Sequence, residues 1–171
     1  ESAIIDPSAK IADDVEIGAY SIIDKNVYIS EGTVIKENVV IRENTSIGKN
    51  NVIYQFATIG ETPQDLKFKN EKTTCTIGDN NTFREYCSIH RGTSDGISDT
   101  NIGDGNLFMA YTHVAHDCTI KNNCILSNGA SLAGHVNLDS YVSLGGFTLV
   151  HQFCHIGEYA FSGLGTVISQ D

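Results

Sequence analysis

The sequence predicts an all-β chain wound as a parallel β-helix of hexapeptide repeats. Three observations carry this expectation. An apolar side chain, mostly isoleucine, recurs at every sixth position. The residue after it is often Gly, Ala, Ser or Asp, as at Gly18, Gly48, Gly103, Ala133 and Gly157. The residue four places on is mostly small or β-branched, as at Val15, Val27, Thr33, Val39, Ala57, Ala130, Val136 and Ala160. A period of six turns an α-helix through about 600°, which spreads the apolar residues around the cylinder instead of along one stripe. A short strand followed by a turn, repeated, keeps them all on the inside.

The first run holds Ile5, Ile11, Ile17, Ile23, Ile29, Ile35, Ile41, Ile47, Ile53 and Ile59 without a gap. Residues 61–76 interrupt it: they are polar, contain Pro63, and put Asp65 and Glu71 where isoleucine is due, although the phase is kept. The repeat resumes at Ile77, Phe83 and Ile89, and residues 92–101 then shift the phase by one. A last run follows through Ile102, Phe108, Val114, Ile120, Leu126, Leu132, Leu138, Leu144, Val150 and Ile156; it breaks at Ser162 and returns at Ile168. Both interruptions are expected to be loops projecting from a rigid scaffold, where function is often carried. Residues 1–171 form one expected domain.

All five cysteines (Cys75, Cys87, Cys118, Cys124 and Cys154) fall four places after a repeat position. Free cysteine behaves as a small buried hydrophobe, so core filling is favoured over disulfides, metal ligation or nucleophilic catalysis. The formal net charge of −10 argues against a broad nucleic-acid-binding surface. An anionic ligand must therefore meet a local positive cluster. No apolar run approaches the roughly 20 residues that cross a bilayer. An odd number of cysteines, all at core positions, suits a reducing compartment, so a cytoplasmic location is expected.

These hexads resemble the left-handed parallel β-helix of hexapeptide-repeat acyltransferases, in which three hexads make one triangular coil. The left hand comes from that resemblance, since crossovers are usually right-handed. About eight such coils fit in the chain. The histidines His90, His113, His116, His135, His151 and His155 all lie in its second half. Counting in steps of three hexads from His116 reaches Gly134 and then Gln152, with His135 and His151 beside them. Successive coils therefore bring these residues to one edge, within about 10 Å along the axis. A lone exposed histidine usually means nothing; several aligned on successive coils favour a site over a structural stack. Imidazole suits a general base near neutral pH. Asp117 follows His116 and is placed to orient it.

Several segments resemble, in order, the UDP-N-acetylglucosamine O-acyltransferase family of lipid A biosynthesis. They are Ile-Tyr-Gln-Phe-Ala-Thr-Ile-Gly-Glu (53–61), Ile-His-Arg-Gly-Thr (89–93), Tyr-Thr-His-Val-Ala-His-Asp-Cys (111–118), Leu-Ala-Gly-His-Val (132–136) and Val-His-Gln-Phe-Cys (150–154). The resemblance implies transfer of a 3-hydroxyacyl group from acyl carrier protein to the 3-hydroxyl of UDP-N-acetylglucosamine. It implies His116 as general base, with the backbone N–H of Gly134 donating to the oxyanion. It places His90, His113, His135, His151 and Gln152 around the substrate. Gln64, Asp65 and Lys67 would lie on a loop that reaches the sugar nucleotide, commonly across a subunit boundary of a homotrimer. For Lys67 alone, a solvated surface lysine would otherwise be the simpler reading. Leu164 is expected near the acyl chain, where its bulk would shorten the chain accepted. Neither a metal nor a bound cofactor is implied. The family carries a helical domain after its β-helix; this chain ends at Asp171 before any such segment, so it is expected to be the β-helix portion alone.

Three rivals stand beside this reading. A related UDP-sugar N-acyltransferase would carry an additional N-terminal domain. A γ-carbonic anhydrase-like zinc enzyme needs three converging histidines, and the spacing of His116, His151 and His155 does not match that pattern. A structural or ice-binding solenoid would show a flat ladder of Thr, which the irregular outward residues do not provide.

Overall fold

The structure, a computed structural model, describes residues 2–171; Glu1 lies outside the described residues. These hold 25 short strands and no helix. The chain is a left-handed parallel β-helix with three faces. Strand Ile4–Ile5 opens the first sheet, Lys10–Ile11 the second and Glu16–Ile17 the third, and Ile22–Ile23 returns to the first. The sheets contain nine, eight and eight strands, which makes the expected eight coils and one further strand. Every pairing is parallel, and the repeat positions stack on one another: Ile5 pairs with Ile23, and Ile23 with Ile41.

The repeat position points inward throughout the middle of the helix, and the residue four places on packs beside it. Ile35, Ile41, Ile53 and Ile59 are buried, as are Val27, Val39, Ala57 and Ala130. All five cysteines are free and buried, as expected of core filler. Phe83 and Phe108 replace isoleucine on adjacent coils and stack at 4.7 Å with their planes 4° apart. Ser162, the break in the apolar run, is buried but satisfied: its hydroxyl lies 2.8 Å from the Thr148 hydroxyl and accepts the Gly145 N–H.

Two regularities had not been anticipated. The third residue after the repeat position takes the left-handed conformation at nearly every corner, including Asn26, Asn38, Asn44, Asn50, Asn80, Asn123, Asp117 and His135. Asn and Asp tolerate this region because their short side chains bond locally. Inside, Asn51, Asn81 and Asn106 form a buried amide ladder: the Asn51 and Asn81 side-chain oxygens each accept the backbone and side-chain N–H of the next asparagine, and Asn106 Oδ1 accepts the Cys124 N–H.

The loops are shorter than expected. Thr74–Ile77 and Asp99–Ile102 are strands, so residues 74–76 and 99–101 belong to the solenoid, and Cys75 is fully buried. Pairing across the insertions jumps from Thr58 to Ser88 and from Ser88 to His113. Both loops leave the first sheet and return on the second. They therefore project from one edge of the prism.

Candidate active site

That edge is the one that carries His116. The residue lies between strands His113–Val114 of the first sheet and Thr119–Ile120 of the second, next to the left-handed corner residue Asp117. His116 Nδ1 is 2.8 Å from Asp117 Oδ2, and the Asp117 side chain is wholly buried. An ionised carboxylate only accepts, so Nδ1 donates and Nε2 is left with its lone pair. Thr93, in the second loop, donates its N–H to both carboxylate oxygens at 3.1 Å and its hydroxyl to Oδ2 at 2.6 Å. Burial pushes the Asp117 carboxyl up, but the hydrogen bonds from Thr93 and His116 outweigh it and hold it below the usual value.

One coil on, Gly134 lies directly against the imidazole. A Cβ at this position would stand 2.7 Å from His116 Cε1 and 2.8 Å from Nε2, closer than van der Waals contact allows. Beside it, His135 meets His116 edge-on at 5.1 Å and stacks on Phe153 at 4.4 Å. Among the described residues the Gly134 N–H makes no hydrogen bond. The site thus has a base with a free lone pair, a buried anion behind it and a free backbone donor at its open edge.

A hollow of about 530 Å³ surrounds this group, lined by His116, His135, Gln152 and Phe153 and by Gln64, Asp65, Leu66 and Lys67 from the first loop. The first loop lines the hollow of its own chain. Its tip is shaped by Asp65, whose Oδ1 accepts the Lys67 N–H at 2.9 Å. A second hollow, about 390 Å³ and mostly apolar, continues along the first sheet beneath His113 and His151, with Leu132, Leu149, Val150 and Val167 in its lining.

His90 is buried and packs edge-on against His113 at 4.8 Å. Burial first, and the neighbouring His113 second, push its pKa down to about 4. Burial also lowers the pKa of His113, whose Nδ1 is 2.7 Å from the Ser88 hydroxyl. Leu164 is not brought to this group: it is 81% exposed, beside Gly146 at the edge between the third and first sheets, and lines neither hollow. His155 bonds Asp139 at 2.9 Å in the second sheet and lines a different hollow, so it does not join His116 and His151 within the chain. His116, Asp117 and His135 do offer ligand atoms within 4.8 Å of one another. The Asp117 oxygens, however, are already engaged by Thr93 and His116.

Thr93, Gly96 and Phe153 escaped sequence reasoning. Thr93 and Phe153 lie within the segments 89–93 and 150–154 that carry the family resemblance but were given no role; for Gly96 the one signal was the phase shift at 92–101.

A coiled three-sheet prism with histidines along one edge defines the class of hexapeptide-repeat transferases, and the bacterial transferase hexapeptide model (six repeats) matches residues 99–134. Over 169 residues the chain is 56% identical to the acyl-[acyl-carrier-protein]–UDP-N-acetylglucosamine O-acyltransferase of Stutzerimonas stutzeri, spanning 99% of this chain and 66% of that protein. The crystal structure of UDP-N-acetylglucosamine O-acyltransferase from Moraxella catarrhalis superposes with a TM-score of 0.99 at 48% identity, covering 99% of this chain and 66% of the other. The UDP-N-acetylglucosamine acyltransferase from Campylobacter jejuni gives 0.80 at 39% identity, covering 98% and 68%. The chain belongs to the UDP-N-acetylglucosamine O-acyltransferase family.

Proposed function

We propose that this chain is the catalytic β-helix of an enzyme that transfers a 3-hydroxyacyl group from acyl carrier protein to the 3-hydroxyl of UDP-N-acetylglucosamine, the first step of lipid A biosynthesis. The observation that carries the reading is the His116 imidazole, held by Asp117 and lying over Gly134. Its support from relatives is the printed activity of proteins such as that of Stutzerimonas stutzeri, of whose length this chain spans 66%.

In this reading Nε2 of His116 removes the proton of the sugar hydroxyl as its oxygen attacks the thioester carbonyl. A C–O bond forms and the carbonyl electron pair moves to oxygen. The Gly134 N–H donates to that oxyanion, and the absence of a side chain lets the reacting centre come close. When the carbonyl re-forms, the C–S bond breaks, and the imidazolium returns its proton to the thiolate of the carrier. The anionic Asp117 stabilises the imidazolium between the two transfers. Gln64, Asp65, Lys67, His135 and Gln152 hold the sugar nucleotide in the larger hollow, with Lys67 near phosphate and Asp65 accepting from a sugar hydroxyl. The apolar hollow below His113 and His151 takes the donor's acyl arm. His90 backs His113 from within. The working form is a cytoplasmic homotrimer, and Leu164, exposed on another edge, meets the acyl chain only where a neighbouring subunit closes the cleft.

The test is an assay with UDP-N-acetylglucosamine and a 3-hydroxyacyl carrier protein, on this chain and on a version extended past Asp171. Acyl-sugar product that disappears in His116→Ala, with β-rich circular dichroism unchanged, is the expected result. Substantial turnover by His116→Ala rules out its role as the base.

A further inference from the structure

The second loop has no role in the reaction just described, yet two of its residues converge on one carboxylate, and the strand that follows holds the same residue's backbone. Thr93 gives Asp117 two donors, with its hydroxyl 2.6 Å from Oδ2. Gly96 sits so close above that a Cβ there would overlap the Asp117 carboxylate. Thr100 accepts the Asp117 N–H at 2.9 Å. The loop is tied onto itself by the Gly96 and Ser98 N–H groups, both of which donate to the Thr93 carbonyl. Later coils put His135 and Phe153 at the same left-handed corner and carry no insertion over them. The insertion thus leaves the helix one coil before Asp117 and reaches over it, the one acid at such a left-handed corner among the described residues.

We propose that Thr93 is a positioning residue: its hydroxyl and N–H hold the buried Asp117 carboxylate in the orientation that keeps the His116 proton on Nδ1 and the lone pair on Nε2. Its effect on turnover rests on the acyl-transfer reading; its effect on the carboxylate does not. A buried carboxylate with one donor partner is costly, because nothing replaces the water it has lost. Thr93 supplies the other donors. The titratable groups that act most strongly on Asp117 are His116 and His135, both imidazoles. Without the hydroxyl the carboxylate is free to take up a proton or to turn from Nδ1. Either change lets the imidazole adopt the other tautomer, in which Nε2 carries the proton and has no base function.

The experiment compares Thr93→Val, which keeps the N–H and removes the hydroxyl, with Thr93→Ser, which restores it. The Asp117 carboxyl is titrated by carbon-13 NMR without substrate, and turnover is measured in parallel. The Val variant is expected to raise the Asp117 midpoint by about one unit and to lower kcat roughly tenfold at unchanged KM. The Ser variant is expected to restore both, with circular dichroism alike in all three proteins. Gly96→Ala, which pushes on the same carboxylate, should move the midpoint the same way. A Val variant with an unmoved midpoint overturns the proposal, even with turnover lowered, because a merely structural role gives that result. So does a Ser variant as impaired as Val. If the wild-type chain transfers no acyl group, the acyl-transfer reading fails while the NMR midpoint still decides the clamp.

Discussion

The imidazole of His116 lies in van der Waals contact with the backbone of Gly134, one coil further along the helix, with no room between them for a methyl group. Gly134 is not among the residues with positive φ, so an alanine there meets no backbone strain. Gly134→Ala is therefore expected to fold normally and to displace the imidazole. Because the displaced ring and the donor N–H act on the same reacting centre, kcat should fall about 10²-fold or more. Circular dichroism and thermal melting, measured beside the acyl-transfer assay, separate the two effects; a Gly134→Ala protein with wild-type kcat removes Gly134 from the site.

Asp117→Asn tests the tautomer directly. Asn tolerates the left-handed corner, where φ is 59°, so the backbone stays as it is. The Thr93 N–H claims the amide oxygen at the Oδ1 place, the Thr93 hydroxyl turns to accept, and the amide NH₂ takes the Oδ2 place opposite His116 Nδ1. That nitrogen must then accept, which moves the ring proton to Nε2. Turnover is expected to fall by about 10²–10⁴-fold with little change in KM. Nitrogen-15 shifts of the imidazole would report the tautomer switch without any substrate.

His90 sets a pH window for stability. Its pKa is pushed down to about 4 in the fold from an ordinary 6.5, so between those values the unfolded chain binds the extra proton. Stability is complete above about pH 6.5 and declines as the pH falls toward 4, by on the order of 3 kcal/mol for this group. Asp117, lowered from 3.8, loses its contribution only below that range. Since His90 Nδ1 has no partner, His90→Phe removes the titration at little cost. Urea unfolding at pH 7, 5.5 and 4 should show a flatter dependence in this variant. Some slope should remain from His113.

The repeat period was enough to place the strands, the inward residues and the cysteines, because burial inside a narrow prism leaves no choice at those positions. The edge that gathers His116, Gly134, His135 and Gln152 also followed, once a coil was taken as three hexads. The Thr93 contact did not, because it joins two residues through a loop whose path no periodicity describes. Leu164 stands on a different edge from the histidines, because counting along the chain gives the coil but only the corner position gives the edge. Asn51, Asn81 and Asn106 stand at small-residue positions as polar exceptions, and their ladder makes sense only when the coils are stacked.

The corner residues give a test of the fold itself. Asn123 has φ of 59°, and its backbone N–H donates to the Asp104 carbonyl at 2.9 Å. Asn123→Gly is expected to be nearly neutral, since glycine enters this region freely. Asn123→Val places a β-branched side chain there and should cost about 1–3 kcal/mol. Equal melting temperatures for the two variants would contradict the left-handed corner.

Lys67 lies in the larger hollow, on the same loop as Asp65 and facing His116 and Gln152. It is exposed, and the Asp65 carboxylate beside it is turned toward the Lys67 backbone N–H, which leaves the ammonium free to meet a diphosphate. On a chain of net charge −10, such a local cation has a long-range task as well as a contact. Lys67→Ala is therefore expected to raise KM for the sugar nucleotide roughly tenfold and to leave kcat nearly unchanged, since the lost contact is made equally before and during the reaction. The penalty should shrink as salt is raised from 0.05 to about 0.5 M, where exposed charges are screened. A fall in kcat at constant KM would instead place Lys67 at the reacting carbonyl.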